Sequence, residues 1–310
     1  MRVGRLRVVL AAEEAAGVQT LKLLANLNHE VFMVLTTSNV NGFATASVAG
    51  LAKRIGCLVK PAALVKDPEF AQILRAEGVD LLLNVHSLHR MNKAVVDAPA
   101  IGSFNLHPGP LPSYAGLNCP SWAIYNGETQ YGVSLHWMNS GIDTGDVAYT
   151  LSFPLSPADT GLTVSGRCVS EGQKLIRRLL DDAAAGVVPR VPQNLKSRRV
   201  YLSGVIPNHG KIDWSLPAQR IYALVRAADY HPLPSPWGYP LSEIGGCAIG
   251  VIKVQPTGRL CKAPPGTICH LDQDVAVATA DRFLVLRLIA YEGRFVKPVN
   301  FPREGMQFEA

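Results

Sequence analysis

The sequence predicts an α/β protein with an N-terminal doubly wound, mostly parallel sheet and a smaller C-terminal β-barrel domain. In the N-terminal part, short apolar runs alternate with helix-spaced apolar residues, which is typical of a parallel sheet with helices on both faces. In the C-terminal part, short strand-like segments alternate with turns, which indicates a small open barrel of the OB type. The stretch between them contains several prolines and predicts a linker. We therefore expect domains at 1–188 and 209–310, joined by a linker at 189–208.

The individual elements follow from periodicity and from start and stop residues. The predicted strands of the N-terminal domain are 6–12, 30–36, 80–85, 103–107 and 131–138. Its predicted helices are 17–27, 45–55, 68–77, 120–126 and 160–185, the last ending at Gly186. The C-terminal domain is predicted to begin with a helix capped by Ser215 and to continue with strands 247–255, 266–270, 275–280 and 283–291.

Composition narrows the class of protein. The chain has 310 residues, 48% of them hydrophobic and 17% charged, with a net charge of +6, which is typical of globular proteins. No apolar run is long enough for a transmembrane helix, and Glu13 and Glu14 interrupt the run that a signal peptide needs. The six cysteines have no metal-ligand spacing, so we expect no metal site. These features predict a cytoplasmic protein that has no membrane partner.

Two polar segments carry the candidate chemistry. Asn105 and His107 lie two apart in a predicted strand, so both side chains face the same way. Three prolines follow at 108, 110 and 112, which places both residues at the carboxyl end of that strand, where open α/β sheets bind ligands. In the second segment, Gly141 and Gly145 bracket Asp143 in a turn. An amide and a protonated imidazole can stabilise an oxyanion, and Asp143 can raise the pKa of the imidazole and accept a proton from an amine.

These segments, 104–116 and 138–146, closely resemble the folate-dependent formyltransferase superfamily. That superfamily includes methionyl-tRNA, glycinamide ribonucleotide and sugar N-formyltransferases. The resemblance implies that Asn105, His107 and Asp143 are the catalytic residues and that 10-formyltetrahydrofolate is the one-carbon donor. Residues 210–228 add a second match, to the C-terminal region of the methionyl-tRNA and sugar enzymes. One departure is Pro108-Gly109-Pro110, where many relatives carry Ser-Leu or Ala-Leu before Leu-Pro.

The resemblance also implies where the folate lies. Carried over by position, the residues that flank the pterin are Leu88, His89 and Met91 on one side and Asn139, Ser140, Gly141 and Ile142 on the other. Five further residues are candidates for acceptor contacts, although each also fits an ordinary loop or packing role: Glu13, His86, Pro108, Tyr114 and Trp122.

The composition of two loops limits the range of possible acceptors. The first β-α turn, 11–17, has two glutamates and no glycine-rich phosphate loop, which argues against glycinamide ribonucleotide. The loop 37–45 has no lysine or arginine, and residues 200–310 contain eleven lysines and arginines against nine acids, a poor platform for tRNA. We therefore expect a formyl transfer to the primary amine of a small molecule, such as an amino-sugar nucleotide or a natural-product amine.

Several alternatives stay open from the sequence. The first is formimidoyl transfer from 5-formiminotetrahydrofolate to such an amine, and the second is methionyl-tRNA formylation. Less favoured are an RNA-binding relative without catalysis and a hydrolase that releases formate. The sequence is compatible with a homodimer and does not fix the oligomeric state.

Overall fold

The computed structural model describes residues 4–27, 29–37, 47–299 and 306–308. The chain divides into two compact units. The first comprises 1–116, 131–153 and 166–200, and the second comprises 117–130, 154–165 and 201–310. Residues 189–200, predicted as linker, thus group with the first unit, whereas the domain boundaries at 188 and 209 stay a prediction. Most of the predicted loop 37–45, from residue 38 onward, lies outside the described residues.

The first unit contains a seven-stranded sheet. The strands up to residue 201 are β1 (Arg7–Ala12), β2 (Glu30–Thr36), β3 (Leu58–Pro61), β4 (Leu81–Val85), β5 (Gly102–His107), β6 (Ala115–Gly116), β7 (Gln130–Trp137), β8 (Val147–Pro154) and β9 (Val200–Tyr201). The sheet order is β3-β2-β1-β4-β5-β7-β8. β1 to β5 pair in parallel, and β7 pairs with β5 in the antiparallel sense. The mostly parallel sheet is therefore confirmed.

Seven α-helices are found among the described residues of the two units. They are α1 (Glu14–Asn26), α2 (Val48–Arg54), α3 (Phe70–Ala76), α4 (Lys93–Val96), α5 (Cys119–Tyr125), α6 (Gly161–Ala185) and α7 (Ala218–Ala228). The N-cap of α2 is Ser47, whose side chain accepts a hydrogen bond from the backbone N–H of Gly50, as the N-cap rule requires. Among the described residues, no helix combines the length and the hydropathy needed to cross a membrane.

Two apolar cores cover the two faces of the sheet. In β1, Val8 and Leu10 lie in one core cluster, and Val9 lies in the other. In β4, Leu83 lies in the same cluster as Val8, and Leu82 lies in the same cluster as Val9. Both faces of these central strands are therefore buried, which explains why their sequences are continuous apolar runs and not alternating patterns.

Two strands of the seven-stranded sheet were not predicted. β3 lies at the edge of the sheet and is mostly exposed, so its sequence carries no apolar pattern. β8 does alternate, with Tyr149 and Phe153 buried and Thr150 and Ser152 exposed, so its sequence carries the pattern of a half-buried strand. The sequence of β8 could therefore have predicted a strand, whereas the sequence of β3 could not.

The second unit contains an antiparallel sheet, which confirms a separate β domain. Its strands are β10 (Leu241–Ile244), β11 (Cys247–Leu260), β12 (Ile268–Leu271), β13 (Asp274–Ala278), β14 (Arg282–Tyr291) and β15 (Arg294–Val296). The order is β10-β11-β14-β13-β12, and β15 pairs with β14. In its core, the indole N–H of Trp214 donates to Oγ of Ser242 at 2.8 Å, and its ring stacks on Phe308.

Candidate active site

The candidate site lies where the central strands of the first unit end. Asn105 pairs in register with Asn84 of β4 and with His136 of β7. His107 is the last residue of β5. Because β4 and β5 are parallel, their carboxyl ends meet at one edge of the sheet, which is the ligand-binding edge in this class of fold.

The structure brings the three predicted catalytic residues together. Nδ1 of His107 lies 3.6 Å from Oδ2 of Asp143, and Nδ2 of Asn105 lies 3.3 Å from Oδ1 of the same carboxylate. The backbone N–H of Gly116 donates to Oδ2 of Asp143 at 2.8 Å. His107 is only 3% exposed, so these charges interact in a medium that water screens weakly.

Both ring nitrogens of His107 face oxygen atoms. Nε2 lies 2.5 Å from the carbonyl oxygen of Tyr114. Because a carbonyl can only accept, Nε2 carries the proton, and Nδ1 faces Asp143. Burial lowers the pKa of His107, and this outweighs the opposing effects of the Asp143 charge and the Tyr114 carbonyl. The charge of Asp143 therefore acts to raise the pKa of His107, but burial lowers that pKa by more, so the net shift is downward.

The Asp143 carboxylate is held in its ionised form. Burial alone would raise the pKa of Asp143. The neighbouring His107 and His136, with the hydrogen bond from Gly116, lower it by more, so the net pKa lies well below its usual range. Asp143 is therefore an anion at neutral pH and a weaker base than His107.

A tight turn aims Asp143 at the site. Asp143 itself has φ 51°, in the left-handed region. The side chain of Asn139 accepts from the backbone N–H of Gly141 at 2.9 Å and from the hydroxyl of Thr144 at 2.8 Å. A Cβ on Gly145 would lie 1.8 Å from the carbonyl oxygen of Trp137. The turn therefore requires glycine at position 145.

Sequence reasoning missed two residues of the site. His136 places Nε2 3.1 Å from Nδ2 of Asn105 and 3.4 Å from Oδ1 of Asp143, and its Nδ1 lies 2.8 Å from the carbonyl oxygen of Trp137. Gln193 donates to the carbonyl oxygens of Asp143 and Gly145 at 3.0 and 2.5 Å. The register of β7 against β5 could have indicated His136, but Gln193 lies fifty residues beyond the turn and carries no local signal.

The two segments expected to flank a pterin lie side by side. Arg90 donates to the carbonyl oxygen of Ser140 at 3.3 Å, which joins 86–91 to 139–142. Leu88 is 80% exposed and Ile142 is 55% exposed. His89 is half-buried. Met91, by contrast, lies in an apolar core cluster, so only its backbone can face a ligand.

The predicted acceptor contacts in the first unit are mostly engaged within the protein. Glu13 accepts hydrogen bonds from Thr36 and Thr37. The carbonyl oxygen of Pro108 accepts from the hydroxyl of Tyr131 at 2.8 Å, and the ring of Tyr114 packs edge-on against Tyr131.

His86, another predicted acceptor contact, instead pairs with a glutamate at the start of α1. It has φ 61°, directly after the end of β4, and its Nδ1 lies 3.5 Å from Oε2 of the exposed Glu14. The hydrogen bond from His86 lowers the pKa of Glu14, so this pair presents an anionic group to solvent.

Trp122 belongs to the second unit. Its ring stacks on Tyr201 with centroids 4.9 Å apart and packs edge-on against Tyr125 and Trp237. Its indole N–H is buried and has no hydrogen-bond partner among the described residues. Trp122 thus has the packing role that was one of its two predicted roles. A contact between Trp122 and the acceptor stays a prediction.

A mostly parallel α/β sheet with an amide, an imidazole and a carboxylate at its carboxyl edge has groups that suit acyl transfer. Comparison with known protein families identifies the family of this chain. The sequence profile described as "Formyl transferase" matches residues 7–180, and that described as "Formyl transferase, C-terminal domain" matches residues 205–301. The chain therefore belongs to the formyl transferase family, whose members are transferases of formyl groups, and the resemblance seen in the sequence is confirmed.

Individual relatives fall into two groups. By sequence, the chain is 32% identical to a methionyl-tRNA formyltransferase of Methylacidiphilum infernorum over 219 residues, covering 69% of this chain and 67% of the relative. It is 27% identical to the enzyme of that description from Solibacter usitatus, covering 93% and 92%. By structure, it is similar to an N-formyltransferase of Helicobacter canadensis in complex with folinic acid and dTDP-3-aminofucose (TM-score 0.70, 20% identity, 91% and 98% covered). It is also similar in fold to HypX of Aquifex aeolicus in complex with tetrahydrofolic acid (TM-score 0.61, 18% identity, 97% and 48% covered).

Proposed function

We propose that this protein transfers a formyl group from 10-formyltetrahydrofolate to the primary amine of a small molecule. The observation that carries the proposal is the convergence of Asn105, His107 and Asp143 at the end of β5, with Asp143 within 3.6 Å of His107 and 3.3 Å of Asn105. Acyl transfer to an amine needs a proton acceptor for the amine and a donor for the developing oxyanion. Neutral His107 and the Asn105 amide supply these two groups.

Each residue has a separate task in this proposal. Nδ1 of His107 accepts the proton of the attacking amine, because its lowered pKa leaves it neutral and Asp143 is the weaker base. The resulting imidazolium is stabilised by the Asp143 carboxylate and by the Tyr114 carbonyl, which both face it. The Asn105 NH₂ group donates to the carbonyl oxygen as that oxygen becomes negative. His107 then returns its proton to the departing nitrogen.

The residues near this site fit a folate donor. Leu88 and Ile142 are exposed apolar side chains on two adjacent loops, and Arg90 holds those loops together. A flat pterin needs apolar groups of this kind around it, together with backbone groups for its hydrogen bonds. The folate, when bound, supplies the formyl group on N10. Two neighbours of similar fold are described as complexes with folinic acid and tetrahydrofolic acid, which supports this choice.

The charges of the second unit support a small acceptor and not tRNA. Phosphate binding depends on clustered cations that are free to pair with the nucleic acid. Five lysines and arginines of the second unit instead lie within 4 Å of an aspartate or glutamate. The pairs are Lys211–Glu243, Lys253–Asp229, Arg259–Asp272, Arg282–Asp281 and Arg287–Asp274.

Mass spectrometry of the acceptor tests the proposal directly. The purified protein is incubated with 10-formyltetrahydrofolate and a panel of amino-sugar nucleotides, diamines and amino acids. We expect one class of amine to gain the mass of one carbon and one oxygen. His107→Ala should abolish this product while retaining the wild-type circular dichroism spectrum. Transfer at the wild-type rate by His107→Ala contradicts the proposal.

Two parallel incubations test the remaining alternatives. With 5-formiminotetrahydrofolate, a product that gains carbon, nitrogen and hydrogen identifies formimidoyl transfer. With methionyl-tRNA in place of the small amines, formylmethionine on the tRNA identifies the tRNA activity that the sequence relatives carry. We expect neither product to form at the rate of the small-amine reaction.

A further inference from the structure

Asn84 is a buried amide in an otherwise apolar strand. It follows three leucines of β4 and precedes Val85, and it is 9% exposed. An amide buried among apolar residues is unfavourable unless its hydrogen bonds are made inside the protein. The contacts of Asn84 therefore indicate why an amide is present at this position.

Those contacts fix the orientation of two amides in turn. Nδ2 of Asn84 lies 3.3 Å from the carbonyl oxygen of Ser87. A backbone carbonyl only accepts, so the atom facing it is the NH₂ group and not the oxygen. The second hydrogen of that NH₂ group points to the side chain of Asn105 at 3.0 Å, which must therefore present its oxygen, Oδ1, to Asn84.

The far side of Asn105 is then determined. With Oδ1 directed to Asn84, its NH₂ group faces Oδ1 of Asp143 at 3.3 Å and Nε2 of His136 at 3.1 Å. The ionised Asp143 only accepts hydrogen bonds. Its contact with Asn105 therefore requires the same orientation of the Asn105 amide as the contact with Asn84 does. In the opposite orientation, Asn105 would direct a carbonyl oxygen toward Asp143 and repel it.

We propose that Asn84 is a positioning residue, which holds the Asn105 amide so that its NH₂ group, and not its oxygen, faces the reacting carbonyl. This inference rests on the proposed function for its catalytic consequence. Without the donor of Asn84, rotation of the Asn105 amide presents an acceptor to the developing oxyanion, and the oxyanion loses one of its hydrogen bonds. Asn84 touches no reacting atom in this proposal and acts only through Asn105.

The substitution Asn84→Asp tests the proposal with almost no change of volume. Its carboxylate only accepts, so it turns the Asn105 amide around. We expect kcat to fall about 100-fold at neutral pH, which is typical of the loss of one oxyanion donor, with little change in the KM of the acceptor. Burial raises the pKa of the introduced carboxyl. Lowering the pH therefore restores a donor, and kcat should recover relative to that of the wild-type enzyme.

Asn84→Leu provides the matched control. Leucine has a similar volume, suits an apolar strand and has no titrating group, so kcat should fall without recovering at low pH. The proposal is overturned if both variants keep the wild-type kcat. It is also overturned if both lose the same activity at every pH, because that result indicates a packing role.

A spectroscopic measurement separates this inference from the proposed function. In ¹H–¹⁵N spectra, the side-chain NH₂ resonance of Asn105 is assigned by its loss in Asn105→Asp. We expect this resonance to shift in Asp143→Asn, and to shift no further when Asn84→Asp is already present. A failure to formylate any amine would end the proposed function but leave this test valid. An Asn105 resonance that is unchanged in Asn84→Asp would end the inference about Asn84.

Discussion

Gly109 lies directly against the imidazole of His107. A Cβ built on Gly109 would be 2.9 Å from Nε2 of His107 and 2.6 Å from the carbonyl oxygen of Tyr114. These two atoms are the partners of the 2.5 Å contact that holds the ring. The unusual Pro-Gly-Pro sequence after His107 is thus explained in part by space, because only glycine fits beside this contact.

Gly109→Ala should therefore separate His107 from the Tyr114 carbonyl. The added methyl group cannot be accommodated by backbone atoms without a shift of the loop, so the ring turns away from Asp143. We expect kcat to fall by about 10- to 100-fold, a part of the usual contribution of general acid–base catalysis. The measurement is kcat and KM for the acceptor identified by mass spectrometry.

Gly166→Ala is the control for this substitution. Gly166 lies in α6, and a Cβ there would have no atom within 4 Å, so alanine should preserve activity and favour the helix. Equal kcat values for Gly109→Ala and Gly166→Ala would show that the loop beside His107 relaxes freely.

The catalytic candidates were predictable because their signals are local. Asn105 and His107 are two residues apart in one strand, and the glycines around Asp143 mark a turn in the sequence itself. His136, Gln193 and the Asn84–Asn105 contact depend on which strands become neighbours, which no local pattern states. The order of strands in the sheet is set by packing over the whole domain, so these residues became visible only in the structure.

The fold shows the same division between local and long-range signals. β1 and β4 were predicted because both of their faces are buried, and β2 because its apolar run is nearly continuous. β3 is an exposed edge strand, and its residues resemble those of a loop. The net direction of the His107 pKa shift was also not predictable, because the depth of burial decides it.

The activity of this enzyme should rise with pH through the pKa of His107. Burial lowers that pKa from the ordinary value of 6.5, so the neutral base form predominates at neutral pH. We expect kcat to increase with pH below 6.5 and then to stay level. If a protonated resting imidazole were required, kcat would instead decrease with increasing pH over this range.

The stability of the protein should also depend on pH through His107. Between the lowered pKa in the folded state and 6.5 in the unfolded chain, the unfolded state binds more protons at His107, so stability rises with pH across that window. In His107→Gln, the free energy of unfolding should increase less with pH, because the group with the lowered pKa is absent. The measurement is the free energy of unfolding by urea at several pH values, and identical pH dependences in the two proteins would contradict the pKa direction.

Glu13 should contribute to stability and not to acceptor binding. Its carboxylate accepts the backbone N–H of Thr37 at 2.6 Å and the hydroxyl of Thr36 at 2.9 Å, which joins the first β-α turn to the end of β2. Glu13→Gln should therefore lower the free energy of unfolding by ~1–2 kcal/mol, as for hydrogen bonds to a charged group. The KM of the acceptor should not change.

Glu14→Gln is the natural comparison for Glu13→Gln. The side chain of Glu14 is 77% exposed and its contact with His86 is 3.5 Å long, so the substitution should change stability by less than about 0.5 kcal/mol. A larger KM effect for Glu13→Gln than for Glu14→Gln would restore Glu13 as an acceptor contact.

His136 should be needed for activity although it lies outside the three predicted residues. Its Nδ1 faces the carbonyl oxygen of Trp137 at 2.8 Å, so the proton lies on Nδ1, and Nε2 is the atom that meets Asn105 at 3.1 Å and Asp143 at 3.4 Å. Asparagine can reproduce the Nδ1 donor but cannot reach as far as Nε2, whereas glutamine places a polar atom near the Nε2 position. His136→Asn should therefore lower kcat by about 10- to 100-fold, and His136→Gln should lower it less.

The comparison of these two variants identifies which nitrogen of His136 matters. Loss of the Nε2 contact leaves one hydrogen of the Asn105 amide without its imidazole partner, whereas the contact between that amide and Asp143 remains. That loss affects the reacting groups and not the acceptor's binding surface, so it should appear in kcat while KM stays within a few fold. Equal losses in His136→Asn and His136→Gln would mean that ring packing, and not the polar atom at the Nε2 position, is what the site requires.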